Sequence, residues 1–584
     1  MRTLSAFLFA ALLSVSCKDK PQAIDLATSE ATRLNSTSHD EPPPEEEDKP
    51  DDGEAGGAAS AMALDEGRMG KSSSDRAEGH LRMKSQQVDP ELARQQALEQ
   101  ARNTGILGSS GVARGGYASL TGKNESSTEN YASYGKNPWT EAAKDRLSTF
   151  AADVDTASYT LARKKLDSGV LPTEAGIRVE EFVNYFRYTF AAPAANTPFS
   201  VIMEVAPSPL EKARHIVRLG VATKPKQIDQ RKPAHLVFLV DVSGSMNQPD
   251  KLPLAKQSLK ILTEDLNSDD TVSLVTYAGS TRVMLEPTAA SVVGKAKIVA
   301  AINKLVSGGS TAMGSGIDLA YARAVKSLKP GHISRVIVLS DGDANVGAHT
   351  HDEMLTMISS RAKEGVTLST VGFGTGNYND ELMEQLADKG NGNNVYIDSE
   401  SHARRVFVDE VTANLEVVAK DVKLQVDFDP AMVARYRLVG YENRDVKDHE
   451  FRDDKVDAGE VGAGHQVTAL YEVELTALGK QAKAPIGGIR IRHKAPNGAT
   501  ATEAAFPMVG GPAATFASAS RDFRFAFAVA AFADVLRGGQ DAEHWSLASI
   551  RTIANAAAGD QADRKELVAL IDRAIAIKGQ TASR

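Results

Sequence analysis

Cysteine is nearly absent from this chain of 584 residues, which contains only Cys17. A single cysteine excludes an intramolecular disulfide framework, a cysteine-based zinc site and an iron–sulfur cluster. An excess of positive charge is also absent, because 67 Lys+Arg stand against 76 Asp+Glu and give a net charge of −9. This charge balance argues against a dedicated nucleic-acid binder, which normally has a basic face. The sequence also lacks a P-loop and the hydrolase motifs G-x-S-x-G and H-E-x-x-H, so we expect no enzyme.

The first residues have the pattern of an export signal. Residues 1–16 combine Arg2 with an apolar run that is too short to span a bilayer, so they are predicted to be a signal peptide. The run leads through small residues into Cys17, which resembles a bacterial lipoprotein signal. That resemblance implies a lipidated Cys17 and an exported protein anchored to the membrane of the cell envelope. Lys18 favours the outer membrane. The alternative is a plain secretory leader with an incidental cysteine.

Residues 17–137 have the composition of a disordered, lipid-anchored linker. Three prolines at 42–44 and an acidic run over 40–54 stand among Gly, Ala, Ser and Gln. Such a segment buries too little apolar surface to offset its ordering entropy. Within it, only Asp89–Arg102 has helical composition, which fits a solvated helix or a docking motif.

Between residues 231 and 418 short apolar strands alternate with amphipathic helices. This predicts an α/β fold, Rossmann-like, with a doubly wound and mostly parallel sheet. The predicted strands are 235–240, 271–277, 281–285, 335–339, 366–373 and 394–397. The predicted helices are 253–266, 292–306, 316–328, 352–364, 380–389 and 401–418. Ligands of such sheets bind beyond the carboxyl ends of the strands, where the strand order reverses.

A motif rich in oxygen ligands lies at that edge. The first predicted strand ends in a D-x-S-x-S loop with Asp241, Ser243 and Ser245. Its alternating spacing sends the carboxylate and both hydroxyls to one side, and the glycine between the serines permits a tight turn. Downstream, Gly308-Gly309-Ser310-Thr311 precedes a helix, and the fourth strand runs into Ser340-Asp341-Gly342. Carboxylates and hydroxyls suit Mg²⁺ or Mn²⁺ and suit softer metals poorly.

The combination resembles the von Willebrand factor A (VWA) domain and its metal-ion-dependent adhesion site. The matching positions are Asp241, Ser243 and Ser245 in the first loop, Thr311 in the second and Asp341 in the third. The resemblance implies that these five residues hold Mg²⁺, or Mn²⁺ or Ca²⁺ in its place. It also implies that a Glu or Asp of a protein partner completes the coordination of the metal.

The regions around the predicted domain resemble YfbK-type bacterial lipoproteins. Ser148–Tyr159 and Arg178–Phe186 look like the N-terminal module of that family, and Val439–Arg444 belongs to a stretch that looks like its C-terminal domain of unknown function. The resulting predicted domains are an N-terminal module over 138–230, the VWA domain over 231–418 and a C-terminal domain over 419–584.

The flanks read as β-rich, with helices at the C-terminal end. Strands are predicted at 199–206 and 216–222, and half-exposed strands with alternating polarity at 423–428, 436–441, 466–475 and 488–493. These strands are expected to form a β-sandwich that packs on the central domain and draws strands from both sides of it. Terminal helices are predicted at 523–536 and 564–577, and the aromatic residues Phe523, Phe525, Phe527 and Phe532 are predicted to be core packing.

Two further motifs favour structural roles. Asp153 and Asp155 form a lone carboxylate pair without the glycine turn or closing glutamate of a calcium loop, so a structural role is predicted. Thr350, with Glu353 three residues later, forms a capping box, so the stretch from His349 to Asp352 is predicted to be a helix start rather than part of the metal site.

Together these features predict a cell-envelope lipoprotein whose VWA domain binds a protein partner through a carboxylate bridged by a divalent cation. One alternative is a structural envelope component in which the metal only stabilises the fold. The other is a non-catalytic accessory subunit of an ATP-driven machine.

Overall fold

The structure is a computed structural model that describes residues 129–194, 197–343, 350–496, 498–539 and 545–582. All of these residues belong to one unit of the chain, Tyr117–Arg584. The predicted signal peptide, Cys17, most of the predicted linker and His349 lie outside the described residues. Within the described ranges, no helix combines the length and the apolar character that crossing a membrane requires.

The strands fall into a central group and a flanking group. They are β1 (Thr140–Glu141), β2 (Leu147–Ala151), β3 (Phe199–Pro207), β4 (His215–Thr223), β5 (Ala234–Asp241), β6 (Thr271–Tyr277), β7 (Thr281–Ala289), β8 (Ile333–Ser340), β9 (Val366–Gly372), β10 (Asn394–Tyr396), β11 (Val417–Phe428), β12 (Val433–Val439), β13 (Gly459–Gly462), β14 (Gln466–Leu475), β15 (Gly487–Lys494) and β16 (Ala501–Pro507).

The helices follow a similar division. They are α1 (Ala157–Asp167), α2 (Val179–Asn184), α3 (Leu252–Asp265), α4 (Val292–Asn303), α5 (Met313–Lys326), α6 (His351–Lys363), α7 (Asp380–Lys389), α8 (Glu400–Arg404), α9 (Val411–Leu415), α10 (Ala477–Gln481), α11 (Arg521–Leu536), α12 (Leu547–Ala558) and α13 (Ala562–Ala582). The start of α6 confirms the predicted capping box of Thr350 and Glu353.

The central sheet has the order β10-β9-β8-β5-β6-β7 and is parallel except for β7, which runs antiparallel to β6. Its middle strand β5 is buried along its whole length. Leu236, Phe238 and Val240 belong to one apolar cluster, while Val237 and Leu239 belong to another. Helices cover both faces, which explains why β5 is a continuous apolar run. The predicted doubly wound α/β sheet is confirmed.

The predicted helix over 401–418 is confirmed as helical as far as Leu415, but a π-helical turn interrupts it, and its last residues are wrong because they begin a strand. The chain forms α8, then a π-helical turn over Arg405–Asp409, then α9, and enters β11 at Val417. In the turn, the backbone N–H of Glu410 donates to the carbonyl of Arg405, five residues earlier. The stretch is rich in valine, whose branched side chain fits a strand better than a helix.

The flanking strands form the expected β-sandwich with strands from both sides of the central domain. One sheet has the order β1-β12-β14-β4-β3, and the other has β13-β11-β15-β16 with β2 also paired to β11. Strands β4 and β14 pair antiparallel, with Val217 opposite Tyr471, although the whole central domain lies between them in sequence. Apolar residues of both sheets, among them Tyr471, Leu424 and Ile489, share one core. Strands β1, β2, β13 and β16 were not predicted.

The C-terminal helices pack on the N-terminal flank. In α11, the residues Phe523, Phe525, Phe527 and Phe532 are at most 2% exposed, which confirms that they are core. The ring of Phe525 lies 5.0 Å from that of Phe186, and the ring of Phe532 lies 6.4 Å from that of Phe182. Helix α12, which was not predicted, adds Ile550 to the same cluster.

Residues 129–137, which the sequence analysis assigns to the linker, contact the folded body. The Nζ of Lys165 lies 2.6 Å from Glu129 Oε1, and the same carboxylate accepts the backbone N–H of Gly376 at 2.8 Å. The amide of Asn137 donates to the carbonyl of Gly440 at 2.7 Å. The packed chain therefore begins before the predicted linker end at residue 137.

Arg444 connects three parts of the chain through ion pairs, two of them with buried carboxylates. Its guanidinium lies 3.3 Å from Asp153 and 3.2 Å from Asp155 of the N-terminal flank, and 2.6 Å from Asp388 of α7. Asp155 also accepts the backbone N–H of Asn394 at the start of β10. These contacts support the structural role predicted for Asp153 and Asp155.

Replacing Arg444 with methionine is expected to lower the free energy of unfolding by about 3–5 kcal/mol, because it leaves several carboxylates buried without their cation. Urea denaturation measures this change. The matched control is Arg361→Met on α6, which removes an exposed ion pair with Glu364. It is expected to lower the free energy of unfolding by less than about 1 kcal/mol. Equal losses in the two variants would contradict the assigned role of Arg444.

Glu180 is a buried carboxyl group whose protonation links folding to pH. It is 1% exposed, and it accepts the backbone N–H of Tyr441 at 2.9 Å. Burial, with added repulsion from Glu442 and Asp153, raises the pKa of Glu180 to about 7. The folded state therefore retains a proton that the unfolded state has already released, and stability falls as pH rises from about 4.5 to 7.

Replacing Glu180 with glutamine is expected to remove the loss of stability at higher pH, because glutamine carries no charge. It keeps a side-chain oxygen that accepts the backbone N–H of Tyr441. The variant should be more stable than the wild type by about 3 kcal/mol at pH 8 and should show little gain at pH 4.5. Denaturation curves at both pH values measure the difference. A gain that is independent of pH would refute the explanation.

Candidate metal centre

The candidate site lies where two neighbouring strands of the central sheet end. Strands β5 and β8 are parallel and adjacent, with Val240 opposite Leu339. Their carboxyl ends therefore meet at one edge and place Asp241 beside Ser340. Because Asp341 follows immediately, the first and third predicted loops are neighbours.

The first loop fixes a buried carboxylate. Asp241 is fully buried; its Oδ1 accepts the backbone N–H of Ser243 at 2.8 Å, and its Oδ2 accepts the hydroxyl of Ser340 at 2.9 Å. A 3₁₀ turn over Gly244–Asn247 follows, and the Oγ atoms of Ser243 and Ser245 lie 3.0 Å apart. The three ligand residues predicted from D-x-S-x-S are therefore brought together.

The second loop is hydrogen-bonded to the first. The N–H of Gly308 donates to the carbonyl of Val242 at 2.7 Å, and the N–H of Gly244 donates to the carbonyl of Gly309 at 3.0 Å. Gly309 has φ +90°, a conformation that favours glycine. Thr311, which is half-buried, follows this turn just before α5 and so lies in the loop beside the first one.

The third loop carries a second buried carboxylate. Asp341 is fully buried, and its Oδ1 accepts the N–H of Asp343 at 3.1 Å. Its Oδ2 accepts the ammonium of Lys251 at 2.9 Å and the amide of Asn377 at 3.1 Å. Residues 344–349, which continue this loop, lie outside the described part.

The two carboxylates influence each other. Burial raises the pKa of Asp241 to about 6, and the charge of Asp341 contributes to the rise, while hydrogen bonds from Ser243 and Ser340 oppose it. A buried carboxylate near a second one is stabilised by a cation, since a cation favours the charged form of both.

The donor set fits a hard divalent cation. The five predicted residues offer two carboxylates and three hydroxyls, all of them oxygen ligands of the kind that Mg²⁺, Mn²⁺ and Ca²⁺ take. Any such cation would be held by Asp241, Ser243, Ser245, Thr311 and Asp341, and would supply positive charge to an incoming anion.

Sequence reasoning missed three side chains of the centre: Ser340, Lys251 and Asn377. Ser340 had a usable signal, because it ends a strand that is adjacent and parallel to the strand ending at Asp241. Lys251 and Asn377 reach Asp341 from positions 90 and 36 residues away in the chain, a proximity that only the tertiary structure creates.

A separate group of acidic residues lies in the flanking sandwich. Among the described residues, Asp421, Asp457 and Glu460 have carboxylate oxygens within 4.8 Å of one another. Burial raises the pKa of Asp457 to about 6, and Asp421 adds to the rise. The group shares no residue with the predicted site.

Comparison with known proteins agrees with this architecture. The family model of the von Willebrand factor type A domain matches residues 235–410, a model described as von Willebrand factor matches 125–218, and the C-terminal model of uncharacterized protein YfbK matches 413–577. Uncharacterized protein YfbK of Escherichia coli (strain K12) is 38% identical over 472 residues, which cover 76% of this chain and 81% of that protein. The chain belongs to the YfbK family. The predicted VWA domain and the predicted YfbK resemblance are both confirmed.

Other similarities of this YfbK-family chain cover less of it. Uncharacterized protein sll0103 of Synechocystis is 31% identical across 33% of the chain and 44% of that protein. Inter-alpha-trypsin inhibitor heavy chain H3 of Bos taurus is 28% identical across 32% of the chain and 20% of that protein. A solved von Willebrand factor type A structure from Catenulispora acidiphila covers 68% of this chain and 89% of that one, with 18% identity and a TM-score of 0.37, which carries no functional argument.

Proposed function

We propose that the VWA domain of this YfbK-family chain binds a protein partner through a divalent cation that bridges to a carboxylate of that partner. The observation that carries the proposal is the convergence of three loops at one edge of the sheet. That edge holds the carboxylates of Asp241 and Asp341 and the paired hydroxyls of Ser243 and Ser245. The order of the strands therefore brings several oxygen-bearing side chains together at the edge where sheets of this kind bind their ligands.

The composition of the site favours recognition of an anion. Only two of the five predicted ligand residues carry negative charge, and the ammonium of Lys251 offsets part of it. Two carboxylates do not overcompensate the charge of a divalent cation, so the bound metal remains attractive to an aspartate or glutamate of a protein partner.

We also propose that the protein is anchored in the cell envelope. Cys17, the single cysteine of the chain, directly follows an apolar segment of export-signal type. Lipidation of Cys17 would anchor the protein to a membrane, the outer membrane being favoured by Lys18, and would leave the VWA domain free to meet a partner.

Replacing Asp241 with alanine is expected to abolish metal-dependent stabilisation, because it removes a central carboxylate ligand. In the wild type, a cation at about 100 times its dissociation constant raises the free energy of unfolding by roughly 2.7 kcal/mol. Thermal unfolding of the purified protein in Mg²⁺, Mn²⁺ and EDTA measures the effect. Capture of the partner from solubilised envelope should likewise require the metal and fail in the variant.

The matched control is Asp269→Ala, which removes an exposed carboxylate in the turn before β6, away from the carboxyl ends of the strands. It should keep both the metal response and the capture. Partner capture that survives both Asp241→Ala and EDTA would overturn the metal-bridged mechanism. A lost metal response with unchanged capture would instead assign the metal to stabilisation of the fold.

Replacing Cys17 with serine is expected to release the protein from the membrane fraction, because serine cannot take the thioether-linked lipid. Fractionation of cells that express the full chain, followed by immunoblotting, measures the distribution. Incorporation of a labelled fatty acid into the wild type alone supports the anchor, whereas equal membrane association of both proteins contradicts it.

A further inference from the structure

Lys251 contributes a buried positive charge to the metal centre. The residue directly precedes α3, and its side chain is 5% exposed. The ammonium donates to Asp341 Oδ2 at 2.9 Å and to Asn377 Oδ1 at 2.6 Å. It therefore shares the very carboxylate that the VWA resemblance assigns to the metal.

The fold holds this lysine in place. Gly374, with φ +73°, passes so close that an added Cβ would lie 2.4 Å from both Cε and Cγ of Lys251. Glycine at this position lets the loop between β9 and α7 close over the lysine stem. The ammonium is thus confined beside Asp341 rather than extended into solvent.

The positive charge of Lys251 changes the net charge of the site. Asp241 and Asp341 alone would match a divalent cation, two negative charges against two positive. With Lys251 included, the three buried side chains together carry one net negative charge without the metal and leave one net positive charge with it. The carboxylate of Asp343, which accepts the amide of Asn377 at 3.2 Å, is exposed to solvent and is not one of the three. A fixed cation beside a shared carboxylate repels an incoming metal and attracts an incoming anion, and it does so strongly because the site is buried.

We propose that Lys251 is an internal counter-ion of the metal centre, which shares Asp341 with the divalent cation, weakens the binding of that cation and leaves the loaded site with a net positive charge toward a partner carboxylate. The proposal rests on the proposed function, because it requires that the five residues bind a divalent cation. It also explains how Asp341 tolerates burial before any metal arrives.

A purely positioning role for Lys251 predicts the opposite result. If the lysine only orients Asp341, its loss weakens metal binding, as would the loss of any other donor to the same oxygen. Asn377 is such a donor, at 3.1 Å, and it is neutral. Comparing the two side chains therefore separates charge from orientation.

The test measures the binding of Mn²⁺ to the full-length protein. The electron paramagnetic resonance signal of free Mn²⁺ reports how much of the ion remains unbound. Replacing Lys251 with methionine, which keeps the length of the stem and removes the charge, should lower the dissociation constant about tenfold, equivalent to about 1.4 kcal/mol. In EDTA the same variant should unfold at a lower temperature than the wild type, because Asp341 loses its buried cation. Added Mn²⁺ should then raise its unfolding temperature by more than it raises that of the wild type.

Three further variants complete the experiment. Lys251→Gln keeps a neutral donor, should also bind Mn²⁺ more tightly, and takes the place of the methionine variant if that one does not fold. Lys260→Met removes a lysine from α3, the helix that follows Lys251, and should leave the dissociation constant unchanged. Asn377→Ala should not tighten binding.

The outcomes distinguish a failure of the counter-ion role from a failure of the proposed function. Unchanged or weaker Mn²⁺ binding in both Lys251 variants, with normal binding in the wild type, overturns the counter-ion role and leaves the proposed function standing. Absence of Mn²⁺ binding in the wild type and in every variant overturns the metal-bridged function itself, and the counter-ion role with it.

Discussion

The parallel pairing of β5 and β8 is the constraint on which the candidate site depends. Because the two strands run side by side in one direction, Asp241 and Ser340 end level with each other, and a hydroxyl of one strand holds a carboxylate of the other. The Gly308–Thr311 loop is then fastened to the Asp241 loop through backbone hydrogen bonds. Without this pairing the residues would be scattered polar side chains; with it they form one cluster of oxygen ligands.

Burying carboxylates beside fixed cations is a recurrent solution in this molecule. Arg444 pairs with Asp153 and Asp155 where the flanking sandwich meets the central domain, and Lys251 pairs with Asp341 at the candidate metal centre. A buried carboxylate without a partner is costly, so each of these cations ties the segments around it to a single arrangement.

The central sheet was predictable because its signals are local. The run Leu236–Val240 within β5 is apolar at every position, and helical segments alternate with such runs, so the six strands were found with errors of a few residues at their ends. The helix over 401–418 was predicted too long and too regular: a π-helical turn, in which Glu410 bonds to Arg405, interrupts it, and the chain enters β11 at Val417. Strands β1, β2 and β13 were missed because they are short, and β16 because it is largely exposed; the partners of β1 and β2 also lie far away in the chain.

The residue pattern and its resemblance to the VWA domain predicted the type of fold, and they singled out five oxygen-bearing residues in three short motifs: D-x-S-x-S, the glycine-rich turn and Ser-Asp-Gly. The side chains that surround those five residues could be found only in the folded chain. Lys251, Asn377 and Gly374 meet Asp341 through loops that are remote in sequence, and β4 and β14 pair across the whole central domain. Local spacing specifies which chemical groups a loop presents, whereas the charge and packing around those groups depend on distances through space that no single segment encodes.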